Sequence, residues 1–221
     1  MHFFKLLLLI TAISLFSYFL TTTIVDVVLM GRLDFYFSTK ARAKDFLITK
    51  ANRIDFQDGF KCSGFSSAFV MRHWNISADG NSAYEKMPNK MRGGYVYPKG
   101  IFNFFRKNGF KVKYCRGNLN ALKNAVATGN SVIAMIKILP DKNWLHYVPV
   151  VDYDGQNIFV AESLAEISNC NEPHYNRRIP AKEFKKLWNT AMPKMPRMLT
   201  RFLRWKDKGL CNIIRQAERL C

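Results

Sequence analysis

The segment Gln57-Asp58-Gly59-Phe60-Lys61-Cys62-Ser63-Gly64-Phe65-Ser66-Ser67-Ala68 sets small residues and an apolar run directly after a cysteine, with a glutamine five positions before it. From Ser63 onward, Phe65, Ala68, Phe69 and His73 recur at helical spacing and Asn75 ends the pattern, so Cys62 is predicted at a helix start. The first N–H groups of a helix have no intrahelical partner and lie at the positive end of its dipole, which favours a thiolate there. A nearby glutamine amide can donate to a developing oxyanion.

A thiol nucleophile needs a base, and one stands far downstream in Trp144-Leu145-His146-Tyr147-Val148-Pro149-Val150-Val151-Asp152-Tyr153. His146 opens a run of β-branched and aromatic residues that predicts a strand over 146–153. Flanking strands are expected over 131–139 and 157–163, with Asp154-Gly155 as the turn between the last two. A further strand is expected over 111–115, and helices over 99–107, 120–128 and 181–189. The stretch from 40 to 54 suits a short helix, and 75–98 reads as loop with room for one more. The fold class is α+β, with the nucleophile's helix packed on an antiparallel sheet.

If Tyr153 pairs with Asn157 across the turn, Val148 lies opposite Glu162, and His146 opposite Leu164. His146 and Glu162 are then diagonal neighbours on one face, about 6 to 8 Å apart at Cβ. Glu162 can therefore orient the imidazole. Asp152 is the tempting alternative, but six residues of strand set it about 20 Å from His146. A slip of one residue would bring Ser163 to that face instead. His73 is too far along the helix from Cys62 to reach it and reads as structural; His174 falls in a polar loop and reads as solvated.

Gln57, Cys62 with the following Ser-Gly-Phe-Ser-Ser-Ala, His-Tyr-Val-Pro-Val-Val-Asp-Tyr-Asp from His146, and Ile-Phe-Val-Ala-Glu-Ser-Leu-Ala-Glu from Ile158 together resemble the C39-like (bacteriocin-processing type) cysteine peptidase family of the papain-like superfamily. The likeness covers roughly residues 55–190. It implies Cys62 as nucleophile, His146 as general base and acid, Gln57 in the oxyanion hole and Glu162 as the orienter of the histidine. The implied activity is hydrolysis of a peptide or amide bond through a thioester acyl-enzyme. Members of that family commonly carry glycine after the cysteine and aspartate as the third residue, where this chain has Ser63 and Glu162. The alternative is a domain that binds peptide without chemistry. No Walker motif is present, so the resemblance is not to a fused transporter.

Residues Leu6 to Val25 carry no charge and follow Lys5. Twenty helical residues span about 30 Å, enough for a bilayer core. No small-x-small cleavage site follows convincingly, so a retained membrane anchor is the first reading and a signal peptide, with secretion, the second. The basic residues Arg32, Lys40, Arg42 and Lys44 pull the domain inward, whereas the short basic start pulls it outward; an extracytoplasmic domain is preferred. The expected organisation is an anchor or signal over 1–30, the papain-like domain over 40–190 and a basic tail over 191–221. In that tail Met198, Leu199, Phe202 and Leu203 suit a basic amphipathic helix.

Lysine and arginine number 34 against 16 acids, a formal charge of +18. Such a surface suits anionic lipid, an anionic wall polymer or a cationic binding role, and nucleic acid ranks last because no nucleic-acid-binding motif is present. Beside Cys62, the thiols of Cys115, Cys170, Cys211 and Cys221 could form two disulfides or remain free. None of the five has zinc-ligand spacing, and no metal or cofactor is expected.

Overall fold

In the computed structural model, residues 2–30, 33–142, 144–189 and 201–205 are described. Helix α1 (His2–Met30) leads to strand β1 (Leu33–Tyr36). Helices α2 (Cys62–His73), α3 (Gly80–Glu85) and α4 (Pro98–Lys107) precede β2 (Val112–Gly117). Helix α5 (Leu119–Val126) leads into β3 (Val132–Lys137), β4 (Leu145–Tyr153) and β5 (Asn157–Val160). Then follow β6 (Arg177–Pro180), α6 (Ala181–Trp188) and β7 (Arg201–Trp205). The sheet runs β1-β2-β7-β3-β4-β5-β6 and is antiparallel except for the parallel pair β1–β2. This is the α+β class expected.

Two apolar cores flank the sheet. Ile133, Met135 and Tyr147 face the core built with α2, α3 and α4, whereas Val132, Ala134, Ile136, Val148 and Val150 belong to the core built with α5 and α6. Burial on both sides is why β3 and β4 read as continuous apolar runs and not as alternating ones. Helix α2 crosses close against α3: a Cβ on Gly64 would lie 2.3 Å from the Gly80 carbonyl oxygen, so only glycine fits. Asn75, which ends α2, takes a positive φ of 61°.

The C-terminal stretch corrects the sequence reading. Residues 201–205 form β7, paired with both β2 and β3 in the middle of the sheet, and not part of an amphipathic helix. Phe202 and Leu203 are consecutive, and a strand sends them to opposite faces, one to each core, both 1% exposed. A helix would have put the two on one flank. Burying a pair of side chains of this size is worth roughly 3 to 6 kcal/mol, more than helix propensity over five residues can offset. The remainder of the expected tail helix, including Met198 and Leu199, lies outside the described residues. Residues 40–54 also differ: they run without a helix, pinned by a bridge between Phe46 and Tyr153.

The β4–β5 hairpin departs from the expected register at its turn. Tyr153 pairs with Ile158, not Asn157, and the loop is the two residues Gly155 and Gln156. Asp154 sets this turn by accepting from the Gln156 and Asn157 N–H groups at 2.6 and 2.5 Å. A β-bulge between Val150 and Asp152 then absorbs one residue, so Val150 pairs with Val160 and the Ala161 N–H donates to the Pro149 carbonyl at 3.0 Å. The two offsets cancel. Beyond the bulge Glu162 arrives opposite Val148, as the simpler register required, although β5 has already ended at Val160.

Candidate active site

Cys62 is the first residue of α2 and is 4% exposed. No side chain caps that helix: Lys61 precedes it, and its ammonium reaches instead to Asp58 at 3.1 Å and Asn81 at 2.9 Å. The Lys61 carbonyl takes the N–H groups of Gly64 and Phe65, and the Cys62 N–H belongs to the first turn, whose donors have no intrahelical acceptor. One turn later, on the same helix face, Ser66 donates to the Tyr147 carbonyl at 2.8 Å and fastens α2 to β4. That bond sets the approach of Cys62 to His146, the neighbour of Tyr147.

His146, 1% exposed, places Nε2 at 2.6 Å from Glu162 Oε1 and lines the same cleft as Cys62, whose side chain is close enough to raise its proton affinity. With Nε2 committed to the carboxylate, Nδ1 is the nitrogen left for the thiol. Burial works against the imidazolium, but the Glu162 charge, the neighbouring Cys62 side chain and the hydrogen bond that Glu162 accepts outweigh it and push His146 up to about 10. Glu162 is fully buried, which opposes its ionisation. The opposing charge and hydrogen bond of His146, then Arg177 and the Leu164 N–H, nevertheless hold the carboxyl below its usual range.

Arg177, itself buried, donates to Glu162 Oε2 at 2.9 Å, and the Leu164 N–H donates to Oε1 at 3.0 Å. Asn176 brackets the same residue's backbone, accepting from the Glu162 N–H at 2.6 Å and donating to its carbonyl at 2.9 Å. These contacts position a carboxylate that lies past the end of its strand, where no ladder holds it.

Gln57 lines the same cleft. Ser163 donates to its Oε1 at 2.7 Å and its Nε2 donates to the Gly59 carbonyl at 2.6 Å, so the amide orientation is set by two partners and one N–H remains for a ligand. The structure thus brings together Cys62, His146, Glu162 and Gln57, the four residues singled out in the sequence. Asp152 stays apart, accepting from the Tyr153 N–H. His73 bonds the Gly129 carbonyl at 2.9 Å, away from the site. His174 is half-buried in its loop and not fully solvated. Cys115 is buried and Cys170 partly so, and both are free thiols; Cys211 and Cys221 lie outside the described residues.

Sequence reasoning missed Arg177, Asn176 and Ser66. Ser66 could have been found, since it stands four residues after Cys62 and so shares its helix face. Arg177 could not be told from Arg178, because only the pairing of β6 with β5 decides which of them turns inward.

The cleft over these residues has a volume of about 390 Å³. Its walls are mainly apolar, with Phe60, Tyr95, Leu139, Trp144 and Leu164 around the Cys62–His146 floor. The Phe60 and Tyr95 rings meet at a tilt of 34° with centroids 4.7 Å apart, and Trp144 is well exposed at the rim.

No protein-family model and no curated protein sequence matches the chain. Solved structures do. A protein from Bacillus anthracis described as a C39-like peptidase superposes with a TM-score of 0.58 at 13% identity, covering 76% of this chain and 100% of its own. The chain has a C39-like peptidase fold. The peptidase domain of Streptococcus ComA, a bifunctional ABC transporter involved in quorum sensing, matches the same fold with a TM-score of 0.54 at 13% identity, over 71% of this chain and 98% of its own. A double-glycine-motif protease from an AMS/PCAT transporter, solved with a leader peptide, matches with a TM-score of 0.50 at 16% identity, over 76% and 95%. The C39-like fold here is preceded by α1, whose residues Phe3–Thr21 are long and apolar enough to cross a membrane and are not buried against the domain.

Proposed function

We propose that this C39-like domain is a membrane-tethered cysteine peptidase that hydrolyses a peptide or amide bond. The observation that carries the reading is the buried His146–Glu162 contact of 2.6 Å, in one cleft with a cysteine at an uncapped helix start. With the proton of the Cys62–His146 pair resting on His146, the Cys62 sulfur attacks the substrate carbonyl carbon. Electrons move to the carbonyl oxygen, which the Cys62 N–H and the remaining Gln57 N–H receive. His146, as imidazolium, protonates the departing amine as the C–N bond breaks and a thioester forms. It then takes a proton from water as the water oxygen attacks the thioester carbon; the C–S bond breaks, the acid product leaves, and the Cys62–His146 pair is restored with its proton on His146. Glu162 keeps the ring oriented and stabilises its charge throughout.

A peptide substrate is supported by the relative solved with a leader peptide and by the apolar cleft. The apolar run of α1 supports an anchor, and the short basic start followed at once by that run supports an extracytoplasmic domain. The test is an electrophilic thiol probe with the modified residue mapped, together with turnover of a peptide library. Wild-type chain is expected to label at Cys62 ahead of Cys170 and to cleave; Cys62→Ala is expected to lose both signals. Unchanged turnover in that variant sinks the mechanism. Peptide binding retained in a wild-type chain that neither labels at Cys62 nor cleaves would identify a binding domain instead.

A further inference from the structure

Helix α4 buries Pro98, Ile101, Phe104 and Phe105 in the core and exposes Arg106 and Lys107, while Lys99, Asn103 and Phe102, which packs against the core edge, are half-buried along the same side. These five recur at helical spacing as one stripe, with three cations, an aromatic ring and no acid. The Arg106 guanidinium lies over the Phe102 ring, 5.6 Å from its centroid. Beside the stripe, Pro88, Asn103, Arg106 and Lys107 line a shallow depression of about 360 Å³.

The stripe is attached to the apolar helix. Lys99 Nζ donates to the Val28 carbonyl at 2.8 Å, an ammonium on the negative end of α1, where the last carbonyls lack intrahelical partners. The uncharged run of α1 ends at Val25, and three residues of helix rise about 4.5 Å. With α1 in a bilayer, Lys99 would stand close to the level where hydrocarbon gives way to headgroups, and the remaining cations of α4 continue from it.

We propose that the outward face of α4 rests on the anionic phospholipid headgroups of the membrane that α1 enters, with the depression receiving a headgroup phosphate. The proposal rests on the tethered reading of α1. Basic side chains at such a surface attract acidic lipid, each by roughly fivefold.

The test uses the full chain, reconstituted into vesicles of phosphatidylcholine alone or with phosphatidylglycerol, carrying a photo-crosslinking amino acid in place of Asn103 or, as control, of exposed Lys182 on α6. Vesicles are first washed at alkaline pH. Lipid adducts are expected at position 103 in phosphatidylglycerol vesicles, about fivefold or more above phosphatidylcholine, and at background at position 182. In the triple variant Lys99→Gln, Arg106→Gln, Lys107→Gln the yield at 103 should fall to the phosphatidylcholine level. Retention after the wash with no adduct at 103, with equal yields in both lipids, or with yields indifferent to the triple variant overturns the α4 proposal and leaves the anchor standing. Release by the wash overturns both. A protein adduct of twice the chain's mass in place of a lipid adduct would make α4 a contact between copies and overturn the proposal as well.

Discussion

Glu162 and Asp152 are carboxylates of one hairpin and its extension, 0% and 4% exposed, and burial acts on both in the same direction, against ionisation. Their fates differ because their partners differ. Glu162 meets two cationic side chains and a backbone N–H and is held below the usual carboxylate range. Asp152 meets one N–H, that of Tyr153, with the acids Asp154 and Asp45 nearby, and is pushed up to about 7. Depth of burial therefore does not decide the charge of a buried acid. Its first circle of partners does, and in this hairpin only the end beyond the bulge has been furnished with them.

The largest expected effect comes from removing the well-partnered member. Glu162→Ala leaves His146 and Arg177 buried without their counter-charge, and is expected to cost about 3 to 5 kcal/mol in urea unfolding and to abolish turnover. A loss under about 1 kcal/mol would mean that the partners contribute nothing net and would break the comparison. Arg177→Met should cost less, about 2 kcal/mol, because the carboxylate keeps His146 and the Leu164 N–H. Of the two variants only this one should still turn over, at a reduced rate.

A large part of this geometry was legible in the sequence, and the reasons for success and failure are physical. Cys62 and His146 each sit at an element boundary marked by local chemistry: small residues opening a helix, and β-branched residues opening a strand. Glu162 was reachable only through register. The expected pairing at the turn was off by one residue, and the bulge at Val151 compensated, which no local signal announces. Strand β7 was misread because Phe202 and Leu203 fit a helical stripe as well as they fit two opposite sheet faces. Only the gap between β2 and β3, a tertiary fact, distinguishes the two. Arg177 and Asn176 are legible for the same reason only after β5 and β6 are paired.

Neutralising Glu162 without removing its shape sharpens the contrast through pH. His146 stands above its ordinary value of 6.5 at about 10, so its contribution to stability is complete below 6.5 and is lost as pH rises toward 10. Glu162 stands below its ordinary 4.5, so its contribution is complete above that value and is lost as pH falls further. Together they contribute in full between about pH 4.5 and 6.5. In Glu162→Gln the charge that raises His146 is gone. The alkaline limb of kcat/KM, which reports loss of the imidazolium, should move to lower pH. A limb that stays in place would assign it to another group.

The smallest effect belongs to the ill-partnered acid, and its sign is opposite. Asp152 has a raised value, so between its ordinary 3.8 and about 7 the folded chain holds a proton that the unfolded chain has released, and stability declines as pH rises through that window. Above it the folded chain carries an uncompensated buried charge. Asp152→Asn removes that charge while its amide oxygen can still accept from the Tyr153 N–H, the contact of 2.6 Å that the aspartate makes. The variant is expected to be more stable than wild type by about 1 to 2 kcal/mol at pH 8, and the gain should shrink as pH is lowered to 5, where Asp152 is itself protonated. Urea midpoints of the two chains at both pH values measure it. A variant less stable than wild type at pH 8 would show that Asp152 has a partner strong enough to hold its charge, and the contrast with Glu162 would then fail.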